Sequence, residues 1–331
     1  MISLQSHHTF GVTAHCNECI SITSVDQLQS LCQLDNTEAT VIGGGSNTLF
    51  VSNPGIVWII DILGKEIVKQ REEYVLLRVG AGEDWHSLVQ YCVEEELGGI
   101  ENLALIPGKC GAAPIQNIGA YGVEIKDVLQ SVSVVERSTG YRKEYHVSEL
   151  DLGYRDSYFK REWKGKYIID SIVLRLTKEG RHNIKTTYGA IQQQLEEAKI
   201  SEPTIADVFN AVVTIRLAKL PDPKILGNGG SFFKNPIIPV AQYDELKAKF
   251  PSIPSYPASD ATVKVPAGWL IDQDGWKGKT IGNVGCYEKQ ALVIVNHGNA
   301  SGQEVLTFSE IIQSSVNEKY GIMLQREINV V

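Results

Sequence analysis

The chain has 331 residues, of which 43% are hydrophobic and 21% are charged, proportions typical of folded globular proteins. Its formal net charge of −8 argues against a general nucleic-acid or membrane-surface binder, because both need a broad basic field. The N-terminus lacks a signal-peptide pattern, and no apolar run is long enough for a transmembrane helix, so we expect a cytoplasmic protein.

The six cysteines are spread along the chain, which favours reduced thiols over a disulfide framework. Cys16 and Cys19 form one C-x-x-C pair near His7, His8 and His15. Zinc is the alternative interpretation of this cluster, but a second C-x-x-C is missing and the pair runs into a β-rich segment. We therefore expect no metal site.

The first part of the chain predicts a compact α/β lobe. Short apolar runs typical of strands surround one amphipathic segment with helical spacing. In chain order the predicted elements are a strand at 19–24, a helix at 25–34 and strands at 39–44 and 56–61.

A second lobe is predicted next. Asp84 can cap its first helix, whose apolar residues recur at helical spacing. The last helix of the lobe meets Pro221 and Pro223, which stop it and indicate a domain boundary near residue 220. In chain order the elements are a strand at 74–82, the helix from 84, a hairpin turning at 138–140, a strand at 167–176 and a helix from 204.

The last third contains GNGGSFFKNP, residues 227–236. The glycines predict a flexible loop and the two phenylalanines an anchor, so that Ser231 is presented as a reactive side chain. A tight turn whose serine bonds its own backbone is the alternative. A strand and a helix over 301–320 follow, with a capping box of Ser301 and Glu304 and a stop at Gly321.

Two glycine-rich stretches follow apolar strands: VIGGGSNTLF at 41–50 and IPGKCGAAPIQNIGAYG at 106–122. Backbone N–H groups in such stretches can bind oxyanions without a cationic side chain. Neither stretch has the spacing of a Rossmann or P-loop motif. The second adds prolines and amides, which favours an ordered wall along a long ligand such as a flavin dinucleotide.

The chain resembles the UDP-N-acetylenolpyruvoylglucosamine reductase family over essentially its whole length, in segments such as HTFG, GGGSNTLF, ENLALIPGKCGAAPIQNIGAYGVE, LGYRDSYFK, GNGGSFFKNP and LQREI. LGYRDSYFK and TTYGAI fit the longer of the two subclasses. The chain departs from the family pattern at Lys109, Cys110, Ala112 and Ala113, which should leave backbone contacts to flavin intact.

The resemblance implies an α+β fold. A two-lobed FAD-binding domain of the vanillyl-alcohol-oxidase (PCMH) type would comprise lobe 1 at 1–65 and lobe 2 at 66–219. A C-terminal α+β substrate-binding domain would occupy 220–331, with a tail that can pack back on lobe 1.

The resemblance also implies an activity, that of UDP-N-acetylmuramate dehydrogenase in peptidoglycan precursor synthesis. NADPH would reduce FAD, and the reduced flavin would deliver hydride to C3 of UDP-N-acetylglucosamine enolpyruvate, giving UDP-N-acetylmuramate. Ser231 matches the proton donor to C2, Arg155 the residue that polarises the substrate carboxylate, and Glu327 the third catalytic residue.

The other implied site residues fall into two sets. The flavin positions are Gly43, Gly44, Gly45, Ser46, Asn47, Pro107, Gly108, Gly111, Gln116, Asn117, Gly119 and Gly122. The positions for the uridine diphosphate substrate are Tyr188, Lys219, Asn235, Tyr256, Lys264 and Gln290. We expect a monomer with no nucleic-acid or membrane partner.

Three alternatives stay open at this point. One is another flavin oxidoreductase of this fold that uses oxygen and a small alcohol, although the segments around Ser231 and Glu327 speak against it. Another is a flavin-free protein that binds a UDP-sugar, which the loss of Ser231, Arg155 or Glu327 would have favoured. The third is a metal-binding structural protein built on Cys16 and Cys19.

Overall fold

The computed structural model describes residues 1–34 and 38–331. The helices are α1 Val25–Gln33, α2 Trp85–Glu94, α3 Gly189–Glu197, α4 Ile205–Lys219, α5 Val240–Lys249, α6 Ala267–Gln273 and α7 Gly302–Tyr320. The strands are β1 Ile2–Ser3, β2 His15–Cys16, β3 Glu18–Ile22, β4 Thr40–Ile42, β5 Thr48–Leu49, β6 Ile56–Ile60, β7 Lys65–Gln70, β8 Tyr74–Gly80, β9 Gly119–Ala120, β10 Val123–Glu124, β11 Leu129–Glu136, β12 Arg142–His146, β13 Tyr167–Thr177, β14 Gly227–Ser231, β15 Ile237–Pro239, β16 Tyr256–Ser259, β17 Thr262–Lys264, β18 Thr280–Ile281, β19 Val284–Cys286, β20 Val293–Asn296 and β21 Asn329–Val330.

The first predicted elements are confirmed. Strands β3, β6 and β4 form a parallel sheet in which β6 is central. Its residues are almost all buried, as expected for the middle strand of a sheet covered on both faces. Ser24 precedes helix α1, and its hydroxyl caps the helix by accepting a hydrogen bond from the Gln27 N–H.

The next part of the chain forms a five-stranded antiparallel sheet in the order β12-β11-β13-β8-β7. The predicted hairpin is the β11–β12 pair, and the predicted strand at 167–176 is β13. Helix α2 is capped by Asp84, which accepts from the Ser87 N–H. Helix α4 carries a capping box of Thr204 and Asp207 and ends before Pro221, as the prolines predicted.

The expectation that residues 227–236 form a flexible loop is wrong for the first half of that segment. Residues 227–231 are strand β14, which pairs antiparallel with β20 at the edge of the sheet β14-β20-β19-β18. The register shifts between Asn228 and Ser231, and Gly230 has φ +71°. A glycine bulge of this kind bends a strand and re-aims the next side chain without ending the pairing.

The phenylalanines after Ser231 anchor it as predicted. Phe232 and Phe233 are 0% and 1% exposed and contact each other edge to face. They belong to a core that also contains residues of α6 and α7 and one face of the lobe-1 sheet. A separate core lies among the five-stranded sheet, α2, α4 and the α1 side of the N-terminal sheet. The N-terminal sheet is therefore shared by both cores.

The chain ends by returning to the N-terminal lobe. Strand β21 pairs in parallel with β5, with Asn329 opposite Thr48. Immediately before it, residues 325–327 run antiparallel to 232–234 through backbone hydrogen bonds and a Phe233–Arg326 bridge. The last residues thus connect the strand that carries Ser231 to the glycine turn, residues 43–47 between β4 and β5.

Residues 1–34 and 38–331 contain neither a membrane-spanning helix nor a cluster of metal ligands. No helix there has both the length and the apolar character needed to cross a membrane. No group of three or more histidines, cysteines and acidic residues is placed to hold a metal ion.

Candidate active site

A cavity of about 250 Å³ lies where the glycine turn, the 106–119 segment and β14 approach one another. Its walls include Ser231, Arg155 and Glu327, the three predicted catalytic residues. Of the predicted flavin positions, nine line it: Gly43, Gly44, Gly45, Ser46, Asn47, Pro107, Gly108, Gln116 and Gly119.

Close backbone approach shapes the glycine wall. Gly45 has φ +60°, and a Cβ there would lie 2.2 Å from the His7 carbonyl oxygen. Gly108 has φ +122°, and its Cβ would lie 2.7 Å from Ser46 Oγ, which itself donates to the Pro107 carbonyl at 3.0 Å. Glycine is required at both positions, since neither the conformation nor the space admits a side chain.

Two amides join this wall to the C-terminal tail. Asn47 Nδ2 donates to Gln116 Oε1 at 2.7 Å and to the Glu327 carbonyl at 3.3 Å. The backbone N–H of Asn329 donates in turn to the Asn47 carbonyl at 3.0 Å. Asn47 therefore fixes both glycine-rich segments relative to Glu327, the predicted third catalytic residue.

Three predicted flavin positions are not on this cavity. Gly111 lines a second cavity, of about 400 Å³, that adjoins the first. Gly122 has φ +82° in the turn between β9 and β10. Asn117 is fully buried and donates to Glu124 and to the Gly153 carbonyl, so its side chain holds the loop that precedes Arg155.

Arg155 projects from a strained backbone position, with φ +52°. Its guanidinium donates to the carbonyls of Asn117 and Gly119, and its Nε lies 3.1 Å from Glu327 Oε1. A non-glycine residue in this conformation is held there by its surroundings, which is common at functional sites. The neighbouring Asp156 pairs instead with Arg161.

Glu327 is the buried carboxyl group of the site, with only 12% of its side chain exposed. Its N–H donates to the Phe232 carbonyl at 2.8 Å. The backbone of Glu327 is therefore held beside the residue that directly follows Ser231. Burial raises the pKa of Glu327, although Arg155, Lys160 and Lys234 act in the opposite direction. Its carboxyl group therefore holds a proton to a higher pH than an exposed glutamate does.

A second arginine, which the sequence analysis missed, lines the same cavity. Arg216 projects from the last turn of α4, and its Nε is buried with no hydrogen-bond partner among the described residues. Burial lowers the pKa of Arg216, and the neighbouring Tyr121 hydroxyl opposes this. Together with Arg155 it gives the wall more cationic than anionic side chains, which suits an anionic ligand. The sequence feature that could have indicated Arg216 is the basic last turn of α4, whose apolar stripe alone supported the helix prediction.

The predicted substrate positions lie outside this cavity, and a tyrosine connects two of them to it. The Tyr154 hydroxyl accepts from the Asn235 N–H at 3.3 Å, and Lys264 Nζ lies 4.6 Å from the centre of the Tyr154 ring. The guanidinium of Arg155 lies 5.6 Å from the same ring. Tyr154 was not predicted, although it directly precedes Arg155 in the sequence.

The remaining four substrate positions are more exposed or peripheral. Tyr256 is 55% exposed and pairs with Lys264 between β16 and β17. Tyr188 is 49% exposed; its pKa is raised by burial and, to a smaller extent, by Tyr256. Lys219 is the last residue of α4, three residues after Arg216. The side-chain oxygen of Gln290 accepts a hydrogen bond from the Leu292 N–H.

Similar proteins match almost the whole length of the chain. A family model described as UDP-N-acetylenolpyruvoylglucosamine reductase, C-terminal domain, matches residues 222–331, and one described as FAD binding domain matches residues 18–144. The chain is 45% identical to the UDP-N-acetylenolpyruvoylglucosamine reductase of Flavobacterium johnsoniae, with 99% of this chain and 98% of the relative covered. It is 43% identical to that of Burkholderia orbicola, with 98% and 94% covered.

The fold is also similar to a solved structure. The crystal structure of UDP-N-acetylenolpyruvylglucosamine reductase from Thermus caldophilus matches with a TM-score of 0.70 at 24% identity, covering 100% of this chain and 97% of the other. The predicted α+β class, with an FAD-binding domain followed by a C-terminal domain of this kind, is confirmed.

Proposed function

Because the chain belongs to the UDP-N-acetylenolpyruvoylglucosamine reductase family, we propose that it reduces UDP-N-acetylglucosamine enolpyruvate to UDP-N-acetylmuramate with electrons from NADPH. One observation carries the proposal: Ser231, Arg155 and Glu327, from three distant segments, line one cavity. The protein is an oxidoreductase with an FAD-binding domain, and we propose that it acts as a monomer in the cytoplasm.

The residues of the cavity fit FAD. The glycine turn and the 106–119 segment offer backbone rather than side chains to a ligand, and Gly45 and Gly108 leave no room for a Cβ. Asn47 and Gln116 add amide groups that suit the polar edge of a flavin ring. When bound, FAD supplies the two-electron chemistry, taking hydride from NADPH and passing hydride to C3 of the enolpyruvyl group.

Arg155 has the right chemistry for the substrate carboxylate. Its guanidinium already donates to two backbone carbonyls, so its plane is fixed before a ligand arrives. A planar, permanently charged group stabilises the negative charge that develops on a carboxylate and the adjacent carbon. Preorganised charge of this kind lowers the barrier because little has to move during the reaction.

Ser231 and Glu327 supply the proton chemistry in this proposal. A serine hydroxyl is a weak acid and protonates only a strongly basic carbon, so it needs nearby cations to stabilise the alkoxide it leaves. We propose that Lys234, three residues further along the chain, and Arg155, which lines the same cavity as Ser231, supply this positive charge. Glu327, with its raised pKa, can hydrogen-bond the enol form of the intermediate and hold it beside the serine.

The uridine diphosphate is proposed to lie outward from this cavity. Asn235 and Lys264 are connected to Arg155 through Tyr154, so a sugar nucleotide whose enolpyruvyl group meets Arg155 extends toward them. Lys219 and Lys264 offer positive charge to a diphosphate. Tyr188, Tyr256 and Gln290 complete the proposed set.

The direct test is a product assay with purified protein, FAD, NADPH and the enolpyruvyl substrate. We expect one NADPH to be consumed per UDP-N-acetylmuramate formed, at the same rate with and without oxygen. NADPH consumption that requires oxygen and leaves the substrate unchanged would contradict the proposal and support the alternative of an oxygen-using flavin enzyme.

A further inference from the structure

Lys109 lies where the two cavities meet. The residues that line both cavities are Val41, Ile42, Gly43, Lys109, Ala112 and Ile115. Among these six, Lys109 is the only ionisable side chain. A ligand that extends from the first cavity into the second has to pass it.

The lysine is held at both ends of its side chain. A Cβ added to Gly43 would lie 3.1 Å from Lys109 Cβ, so the aliphatic stem lies against the glycine turn. The ammonium donates to the Gly82 carbonyl at 2.7 Å and lies 3.2 Å from Asp61 Oδ1. Asp61 also accepts from the Ser21 hydroxyl at 2.7 Å. The charge of Lys109 is therefore fixed beside the passage.

Asp61 makes that charge necessary. Asp61 lines neither cavity, but its side chain is 32% exposed and lies 3.2 Å from Lys109, which lines both. An isolated carboxylate here would repel an anionic ligand. Glu83, which also interacts electrostatically with Lys109, already has Lys65 as its partner at 2.9 Å. Lys109 is thus the cation that offsets Asp61.

We infer that Lys109 is a cofactor-positioning residue, which sets the charge at the junction and admits the dianionic pyrophosphate of FAD. The inference rests on FAD occupying both cavities, as proposed above. Flavin chemistry belongs in the first cavity, where Ser231 and Glu327 lie. The second cavity has aromatic residues, Trp163 and Tyr167, in its wall, which suit the adenosine end. The connecting pyrophosphate then lies beside Lys109.

A charge series on the apoprotein tests this, with FAD affinity measured from the change in flavin fluorescence. K109M leaves Asp61 uncompensated and should bind FAD about tenfold more weakly, while D61N should bind it several-fold more tightly. K109M/D61N restores neutrality and should bind within about threefold of the wild type. All differences should shrink as salt is added.

Two controls separate charge from packing. Lys277 lies 2.8 Å from Asp272 in a pair distant in sequence from both cavities, and K277M should leave FAD affinity unchanged. Riboflavin has no pyrophosphate, so K109M should not weaken its binding. K109R should retain FAD affinity because it keeps the charge.

The opposite results overturn the inference. If D61N binds FAD more weakly, or if the double variant is as weak as K109M, Lys109 acts through packing alone. If K109M does not fold, the sign of the D61N effect still decides. A wild-type protein that cannot bind FAD would remove the proposed function itself, whereas unchanged affinity across the series would remove only the role of Lys109.

Discussion

The two walls of the first cavity are built in opposite ways. One wall is backbone: Gly45 and Gly108 have positive φ and no space for a side chain. The other is a set of polar side chains, Arg155, Ser231 and Glu327, two of them in an ion pair. The backbone wall should tolerate no added atom at either of these glycines. The side-chain wall should tolerate changes of shape only where donor, acceptor and charge are kept.

The largest effect is expected for Ser231→Ala. Oxidation of the reduced flavin by the enolpyruvyl substrate should slow by roughly 10² to 10⁴, the usual contribution of a positioned proton donor, while flavin reduction by NADPH stays nearly normal. Stopped-flow absorbance measures both half-reactions. Ser138→Ala, in an exposed hairpin turn, is the control, and an equal slowing of both half-reactions would mean that Ser231 only positions ligands.

Arg155→Lys keeps the charge but loses the planar fork. We expect the second half-reaction to slow by about 100-fold, because preorganised donors at developing charge contribute on this scale. Arg161→Lys is a matched control, since Arg161 pairs with Asp151 and Asp156 outside the cavity. An unchanged rate for Arg155→Lys would show that the planar shape of the guanidinium is not needed for the second half-reaction.

Gly45→Ala tests the backbone wall. Its Cβ would overlap the His7 carbonyl and occupy a left-handed conformation, so we expect a loss of stability of about 1 to 3 kcal/mol together with weaker FAD binding. Gly55→Ala is the control, because nothing lies within 4 Å of its Cβ. Urea unfolding and FAD titration measure the two quantities; a variant as stable as Gly55→Ala would show that the turn can relax.

Tyr188→Ala tests whether the outer positions bind substrate. We expect KM for the enolpyruvyl substrate to rise about tenfold, since the loss of a ring and a hydroxyl is of the order of 1.4 kcal/mol, with flavin reduction by NADPH unaffected. Tyr141, which is 65% exposed in lobe 2, gives the control Tyr141→Ala. A lower kcat with an unchanged KM would place Tyr188 in the chemistry instead.

The smallest effect is a pH dependence of stability. Burial raises the pKa of Glu327 above its ordinary value of 4.5, so its protonated form stabilises the folded protein at low pH. That contribution is lost as the pH rises through the pKa of the folded state. The free energy of unfolding of the wild type relative to Glu327→Gln should therefore fall between pH 4.5 and neutrality in a urea series, and a constant or rising difference would show that Arg155 outweighs burial.

The two walls also differ in how well the sequence predicts them. Gly45 and Gly108 occupy conformations that favour glycine, so the residue type alone indicates a backbone position without a side chain. Gly111 and Asn117 fall in the same glycine-rich segment, yet tertiary contacts turn one toward the second cavity and the other into the interior. A local pattern marks the segment as a wall but does not say which residues face the ligand.

The side-chain wall depends on contacts between distant parts of the chain. Arg155 and Glu327 meet because the tail pairs with residues 232–234 and with β5. A local hydrophobic pattern does not predict which distant segments pair. The family resemblance identified these residues; their residue types alone did not. Arg216 was missed because α4 was interpreted by its apolar face. The glycines of residues 227–231 favour a turn, whereas pairing with β20 keeps these residues in a strand.

The most direct measurement is the visible absorbance of the purified protein under anaerobic conditions, through two successive additions. We expect flavin bands that bleach with NADPH and return when UDP-N-acetylglucosamine enolpyruvate is added. A protein that stays colourless after incubation with FAD, or reduced flavin that is not reoxidised by the enolpyruvyl substrate, would contradict it.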